Sequence, residues 1–327
     1  MNNVILFVSH KKAQCGVYEF GKDITDALQH SMCYQFVRVE CSSLPGLRDA
    51  ITENNPIGII YNYSPLVFPW MNHKIRSITS VPQIGIIHDI TQYVADTATS
   101  EGVTGINSLF NFYIAPDPTL LSSNPLVYKT GRLVPQYQGS PPDYSELTIG
   151  SFGFGTPGKG FEKIVQLVQH EFDVANIRFN IPAADFGDYG GINAKAIAEQ
   201  CKTQITKPGI RLNITHEYLD RESLLDFLAQ NTINVFLYED TGDRGLSSAI
   251  DIAMAVRRPI AVSGSIMFRH LHDVKPSICI TGNSLKSIIE NGFTPLQKHY
   301  EEWSSENLLR DYERTLDSIF LKQRSVI

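Results

Sequence analysis

The sequence predicts an α/β protein made of two doubly wound parallel-sheet domains of similar size. Three observations predict this. Short apolar runs, the pattern of strands buried on both faces, alternate with amphipathic helical stretches from the start of the chain. The alternation breaks at Gln-Tyr-Gln-Gly-Ser-Pro-Pro-Asp-Tyr-Ser-Glu (136–146), a polar linker, and then begins again. A length of 327 residues also suits two hydrophobic cores better than one.

The first strand is expected over 4–8 (Val-Ile-Leu-Phe-Val), followed by a loop and a helix over 17–30 with Phe20, Ile24, Ala27 and Leu28 at helical spacing. Further strands are expected at 36–39, 57–61, 83–88 and 111–115, with a short helix at 47–51. This gives a first domain over 1–135, the linker 136–146, and a second domain over 147–300. In the second, strands at 147–152, 177–181, 210–214 and 233–238 alternate with helices at 161–170, 194–201 and 221–230. A helix opens at Ser247-Ser248 and must stop before Pro259, because the residue preceding proline is pushed out of the α region. Strands at 259–262 and 278–280 complete the set. The segment 301–327 carries a helix over 303–320 with Leu308, Leu309, Tyr312, Leu316 and Ile319 on one face.

Net charge is −6, which argues against a nucleic-acid partner. Five scattered cysteines without a Cys-x2-Cys pair point to free thiols in a reducing compartment rather than to disulfides or zinc. The opening residues lack the form of a signal peptide, and no apolar run is long enough to span a bilayer. A cytoplasmic protein is expected, with at most a peripheral contact on the cytoplasmic face of a membrane.

Two stretches carry chemistry. The first is Asp240-Thr241-Gly242-Asp243-Arg244-Gly245-Leu246-Ser247-Ser248, between a strand and a helix that bears Asp251. A strand, a polar loop and a helix start form the unit that receives phosphates in open α/β sheets, through first-turn amides and the positive end of the dipole. Small residues at Gly245, Ser247 and Ser248 would let a diphosphate come close, and carboxylates suit sugar hydroxyls. The bland alternative is an N-cap beside a solvated acidic loop.

The second stretch is Gly150-Ser151-Phe152-Gly153-Phe154-Gly155-Thr156-Pro157-Gly158-Lys159-Gly160. Gly153, Gly155 and Gly158 spell the dinucleotide pattern G-x-G-x-x-G, for which Glu171 or Asp173 would have to supply the ribose-binding acid. Gly153 to Lys159 also spells G-x-x-x-x-G-K, but Gly160 stands where a P-loop needs its hydroxyl. A third reading is a sugar-nucleotide loop in which Lys159 neutralises a diphosphate. A glycine-rich turn with a surface lysine is the plain alternative.

Together these pieces resemble the large retaining glycosyltransferase family 4 (glycosyl transferases group 1) of GT-B fold. The loop ending in Lys159-Gly160-Phe161, the run Gly245-Leu246-Ser247 with Ala253-Met254-Ala255 and Arg258-Pro259-Ile260, and Cys15-Gly16-Val17 after the first strand carry the likeness. The resemblance implies two Rossmann-like domains facing each other across a cleft, with the last helix returning to the first. It implies donor contacts from Gly16, Gly153, Gly155, Thr156, Lys159, Tyr218, Leu219, Gly245, Leu246, Ser247, Ser248 and Asp251. Asp251 would hold the ribose, the base would lie near Tyr218-Leu219, and Asp243, Arg244, Lys159 and His88 would serve the chemistry. The family's Glu-x7-Glu is absent as such: its spacing recurs as Asp243-x7-Asp251, one residue out of step with Ala253-Met254-Ala255. Phe154 replaces the family's arginine five residues before the lysine, a charge that Arg244 would have to supply.

His88-Asp89 ends an apolar strand, where sites of such sheets gather. His270 and His272, two apart, diverge on a helix and read as surface residues rather than metal ligands. The aromatic run 61–70 would bind an acceptor sugar, touch a membrane, or be a buried loop. The leading expectation is sugar transfer from a nucleoside-diphosphate sugar to a saccharide or lipid-linked acceptor, with no cofactor and no metal. The alternatives are an NAD-dependent oxidoreductase and a non-catalytic sugar-nucleotide binder of the same fold.

Overall fold

The computed structural model describes residues 3–100, 105–140, 146–240, 242 and 244–324. The chain divides into two compact units. One comprises Met1–Leu133, Asp243–Gly245 and Trp303–Ile327; the other comprises Val134–Gly242 and Leu246–Glu302.

The first unit holds six parallel strands: β1 (Val4–Ser9), β2 (Gln35–Glu40), β3 (Gly58–Tyr63), β4 (Gln83–Ile87), β5 (Phe112–Ala115) and β6 (Val127–Lys129), in the order β2-β1-β3-β4-β5-β6. Helices α1 (Gly16–Leu28), α2 (Leu44–Asn54) and α3 (Gln92–Thr97) connect them. α1 starts where the Cys15 sulfur accepts from the Tyr18 amide, and α2 where the Ser43 hydroxyl accepts from Gly46 with a proline in its first turn. Both faces of β1 are buried, which is why its sequence is apolar without alternation. Leu308, Tyr312, Leu316 and Ile319 pack with Ile5, Phe7, Ile24 and Ile84 in one of the unit's cores. They line one face of the last helix, Ser305–Arg324.

The second unit holds five parallel strands: β7 (Thr148–Phe152), β8 (Ala175–Asn180), β9 (Ile210–Thr215), β10 (Ile233–Phe236) and β11 (Ile260–Val262), in the order β11-β10-β7-β8-β9. Its helices are α4 (Phe161–Glu171), α5 (Ile192–Thr203), α6 (Arg221–Ala229), α7 (Ala249–Met254), α8 (Leu285–Asn291) and α9 (Gln297–Glu302); the last helix of the chain is therefore α10. The stretch 278–280 is not a strand. It meets β11 through one bridge, Val262 with Cys279, so its apolar residues serve packing rather than a ladder. No helix of the described residues is long and apolar enough to cross a membrane.

In each sheet the strand order reverses once: beside β1 and β3 in the first, beside β7 and β10 in the second. Loops leaving such neighbours diverge and open a crevice at the carboxyl ends, where doubly wound sheets bind ligands. Asn62 and His88 lie at the carboxyl ends of β3 and β4, and Gly16 opens the helix that follows β1. The glycine-rich loop and Tyr238 follow β7 and β10.

Candidate functional site

The glycine-rich loop connects β7 to α4, and the protein's own backbone holds it along its length. The Gly153 amide donates to the Asn180 carbonyl at 3.1 Å and the Gly155 amide to the Pro182 carbonyl at 3.1 Å. A Cβ at Gly155 would stand 2.4 Å from the Asp188 carboxylate and 2.6 Å from Ala194, so this glycine admits the start of α5 rather than a ligand. Asp188 in turn accepts from the amides of Asn193 and Ala194. Thr156, half-buried, donates its amide to the Phe154 carbonyl.

Further along, the continuation of β10 clasps the loop. The Glu239 amide donates to the Gly158 carbonyl at 2.9 Å, and Glu239 pairs with Lys163 at 2.9 Å. Gly160 takes φ +69°, and a Cβ there would lie 2.0 Å from the Leu237 carbonyl oxygen. Between these two anchors, Lys159 lays its ammonium over the Tyr238 ring, 4.0 Å from its centroid. The Tyr238 ring is wedged against Phe236 and Phe268, and its hydroxyl is buried with no hydrogen-bond partner among the described residues. An unmade bond of this kind costs about 1–3 kcal/mol.

Phe154 lies nearly parallel to Tyr218: their centroids are 6.4 Å apart and their planes 17°. Tyr218 and Leu219 are half-buried just beyond β9, which the Asn180 side chain ties down through Thr215 and the Glu217 carbonyl. The acids that a dinucleotide site would need are committed elsewhere. Glu171 accepts from the Leu285 and Lys286 amides at the start of α8, and Asp173 pairs with Lys207 at 2.8 Å. The residue at the carboxyl end of β8 is Asn180, an amide.

The second stretch departs from its expectation in detail. The Ser247 amide is not free: it donates to the Met267 carbonyl at 3.1 Å, while the Ser247 hydroxyl accepts from Ala249 at 3.4 Å. α7 begins at Ala249 and has only six residues, with Ser248 at its N-cap making no side-chain cap bond. Asp251 sits in its first turn and is buried. Leu246 is half-buried. Gly245 is required by the first unit: its amide donates to the Asp89 carboxylate at 3.1 Å, and a Cβ would stand 1.7 Å from the His88 carbonyl oxygen. Arg244 is exposed, and Asp243 lies outside the described residues.

In the first unit, His88 donates through Nε2 to the Asn62 side-chain oxygen at 2.7 Å, a tautomer assigned because the Asn62 amide nitrogen is committed to the Val17 carbonyl. Nδ1 is then the ring's acceptor. Burial pushes the imidazole down to about 4, with Asp89 opposing, so it is neutral at pH 7. The Phe20 ring meets it edge-on at 4.7 Å. Gly16 opens α1, and a Cβ there would meet nothing within 4 Å, so packing does not demand its glycine. The neighbouring Cys15 sulfur lies 3.1 Å from His10 Nε2.

Sequence reasoning missed Asn62, Tyr238, Asn180 and Asp188. Asn62, Tyr238 and Asn180 sit at or just past a strand's carboxyl end, the one signal that could have found them, whereas Asp188 lies well beyond β8, in the loop before α5. The aromatic run 61–70 is largely core: Tyr61 is buried on Gln83, and Tyr63 stacks on Phe68. His270 is buried rather than at the surface, whereas His272 is exposed. Among the described residues no three His, Cys, Asp or Glu side chains gather into a metal cage.

No model of a protein family matches the sequence, and no curated protein matches it. Solved structures do. The chain is similar to HepE from Anabaena, solved with UDP and glucose, at 15% identity and a TM-score of 0.63, covering 96% of this chain and 99% of that one. It is similar to sucrose-phosphate synthase from Thermosynechococcus elongatus at 11% identity and a TM-score of 0.68, covering 98% and 100%. An alpha-glucosyltransferase solved with UDP matches at 12% identity and 0.59, covering 97% and 99%. The fold is therefore GT-B, with two parallel-sheet α/β domains.

Proposed function

We propose that the chain is a glycosyltransferase that takes a sugar from a nucleoside-diphosphate sugar and passes it to a saccharide or lipid-linked saccharide. The observation that carries this reading is the pair Lys159 and Tyr238 at the strand reversal of the second sheet, where a cation and an unsatisfied hydroxyl converge beside a glycine-rich loop. Transfer breaks the bond from the anomeric carbon to a phosphate oxygen and forms one to the acceptor hydroxyl, whose proton departs. Charge accumulates on the leaving diphosphate, and a fixed cation stabilises it most where water is excluded. Lys159 supplies that cation. Asp251 fits the ribose hydroxyls and the Phe154–Tyr218 pair the base, in keeping with the structural neighbours solved with UDP. His88, neutral and with Nδ1 accepting, suits a hydroxyl of the transferred sugar.

Independence of added metal extends the same reading, since the lysine carries the charge that a metal would otherwise meet, and retention of configuration is what the family resemblance implies. The test is calorimetric titration with UDP, GDP, ADP and NAD, then donor hydrolysis with the matching sugar nucleotides in chelator, and NMR of the product anomer. Binding of NAD alone would move the chain to the oxidoreductases. Donor binding without hydrolysis or transfer would make it a sugar-nucleotide binder. Activity lost in chelator, or an inverted product, would overturn the finer claims.

A further inference from the structure

The Tyr238 hydroxyl has no hydrogen-bond partner among the described residues, yet its surroundings fix its position. Leu237 and Glu239, its two neighbours, are the residues that clasp the loop at Gly160 and Gly158. The Tyr238 carbonyl accepts from the Ser263 hydroxyl at 2.6 Å, and the ring is held by Phe236 and Phe268. Its side chain therefore cannot turn away to find a partner. The place that a Cβ of Gly153 would occupy lies 3.7 Å from this hydroxyl, 3.8 Å from the Lys159 stem and 3.8 Å from the Phe161 ring. The hydroxyl thus lies under a glycine and beside a lysine stem, and the lysine's ammonium rests on the same ring.

We propose that Tyr238 is a second diphosphate-binding group and the seat of Lys159: its ring holds the ammonium in the unliganded protein, and its hydroxyl donates to a diphosphate oxygen once that ammonium has moved onto the anion. This rests on the proposed nucleotide-sugar reading and adds a residue to it. One phenol then does two jobs. It stores the cation without an acidic partner that would compete with the phosphate, and it presents a hydroxyl donor beside the same loop.

The test compares wild type with Tyr238→Phe, which keeps the ring, and Tyr238→Leu, which removes it. Inorganic pyrophosphate and UDP, GDP and ADP are titrated by calorimetry, with uridine, guanosine and adenosine as phosphate-free controls, and melting temperatures are taken without ligand. The proposal expects Tyr238→Phe to melt at or above the wild-type temperature while binding diphosphates about tenfold more weakly, a charge-assisted hydrogen bond being lost. Nucleoside binding should not change, and Tyr238→Leu, which lacks the same hydroxyl, should also bind diphosphates more weakly than wild type while losing the ring that seats the free ammonium. A merely structural tyrosine would give the opposite pattern, a lower melting temperature with unchanged diphosphate affinity, and that result overturns the proposal while the nucleotide-sugar reading stands. If wild type binds neither pyrophosphate nor any nucleoside diphosphate, both fall together.

Discussion

His88 offers a prediction whose size follows from the geometry. Burial beside Phe20 and Asn62 lowers its pKa from 6.5 to about 4, so the folded protein resists a proton that the unfolded chain takes up readily. The sign follows: a depressed folded value means this stability is whole above pH 6.5 and is lost as pH falls toward 4. At 1.36 kcal/mol per unit, the loss is about 1.4 kcal/mol at pH 5.5 and about 3 kcal/mol at pH 4. Burial also lowers His10 and His299, which add in the same direction. The assay is therefore a difference: urea denaturation of wild type and His88→Gln at pH 7, 5.5 and 4. The variant's stability should fall less with acid by the amounts given, whatever its value at pH 7. NMR titration of the ring supplies the direct check. A His88 pKa near 6.5, or parallel acid limbs for the two proteins, would refute the reasoning and with it the neutral acceptor at Nδ1.

Four further outcomes are expected. Asn62→Asp keeps the oxygen that accepts from His88 but makes it a carboxylate; an opposite charge at that distance should raise the imidazole pKa by about 1–3 units, read by NMR. Lys159→Ala should weaken diphosphate binding about tenfold or more and remove most turnover, measured by calorimetry and by donor consumption. Gly160→Ala combines a left-handed backbone, costing about 1–2 kcal/mol, with a Cβ 2.0 Å from the Leu237 carbonyl, so urea denaturation should show more than that backbone cost alone. Gly245→Ala drives a methyl into the His88 carbonyl, and hydrogen exchange should show the amide at position 245 losing the protection that Asp89 gives it.

Most of the fold was legible because parallel strands buried on both faces leave apolar runs in the sequence. The runs at 4–8, 83–88 and 147–152 are β1, β4 and β7 within a residue or so. Short elements escaped. β6 has three residues, two of them only partly buried, and α3 and α9 have six each, too few turns to show a period. The opposite error came at 278–280, where three ladder-like residues make one bridge because Val262 alone reaches them. The positions of Lys159 and His88 at strand ends followed from topology. Their partners did not, since Asn62 and Tyr238 reach them from β3 and from beyond β10, across gaps in sequence that no local pattern spans.

The glycines carry the deeper lesson about the site. Gly155, Gly160 and Gly245 all lie in stretches that resemble a phosphate cradle, and each is explained by a protein atom closer than any Cβ could tolerate: Ala194, the Leu237 carbonyl and the His88 carbonyl. The amides of Gly155 and Ser247 are likewise committed to Pro182 and Met267. What these glycines make is therefore not a row of open donors but a tightly clasped loop, and the work of meeting an anion shifts from backbone amides to side chains. Burial of an unsatisfied phenol under that loop is the cost of the arrangement. It predicts that affinity for a diphosphate will follow the Lys159 and Tyr238 side chains rather than the glycine count. Anion binding unchanged in a Lys159→Ala, Tyr238→Phe double variant would return the role to the backbone.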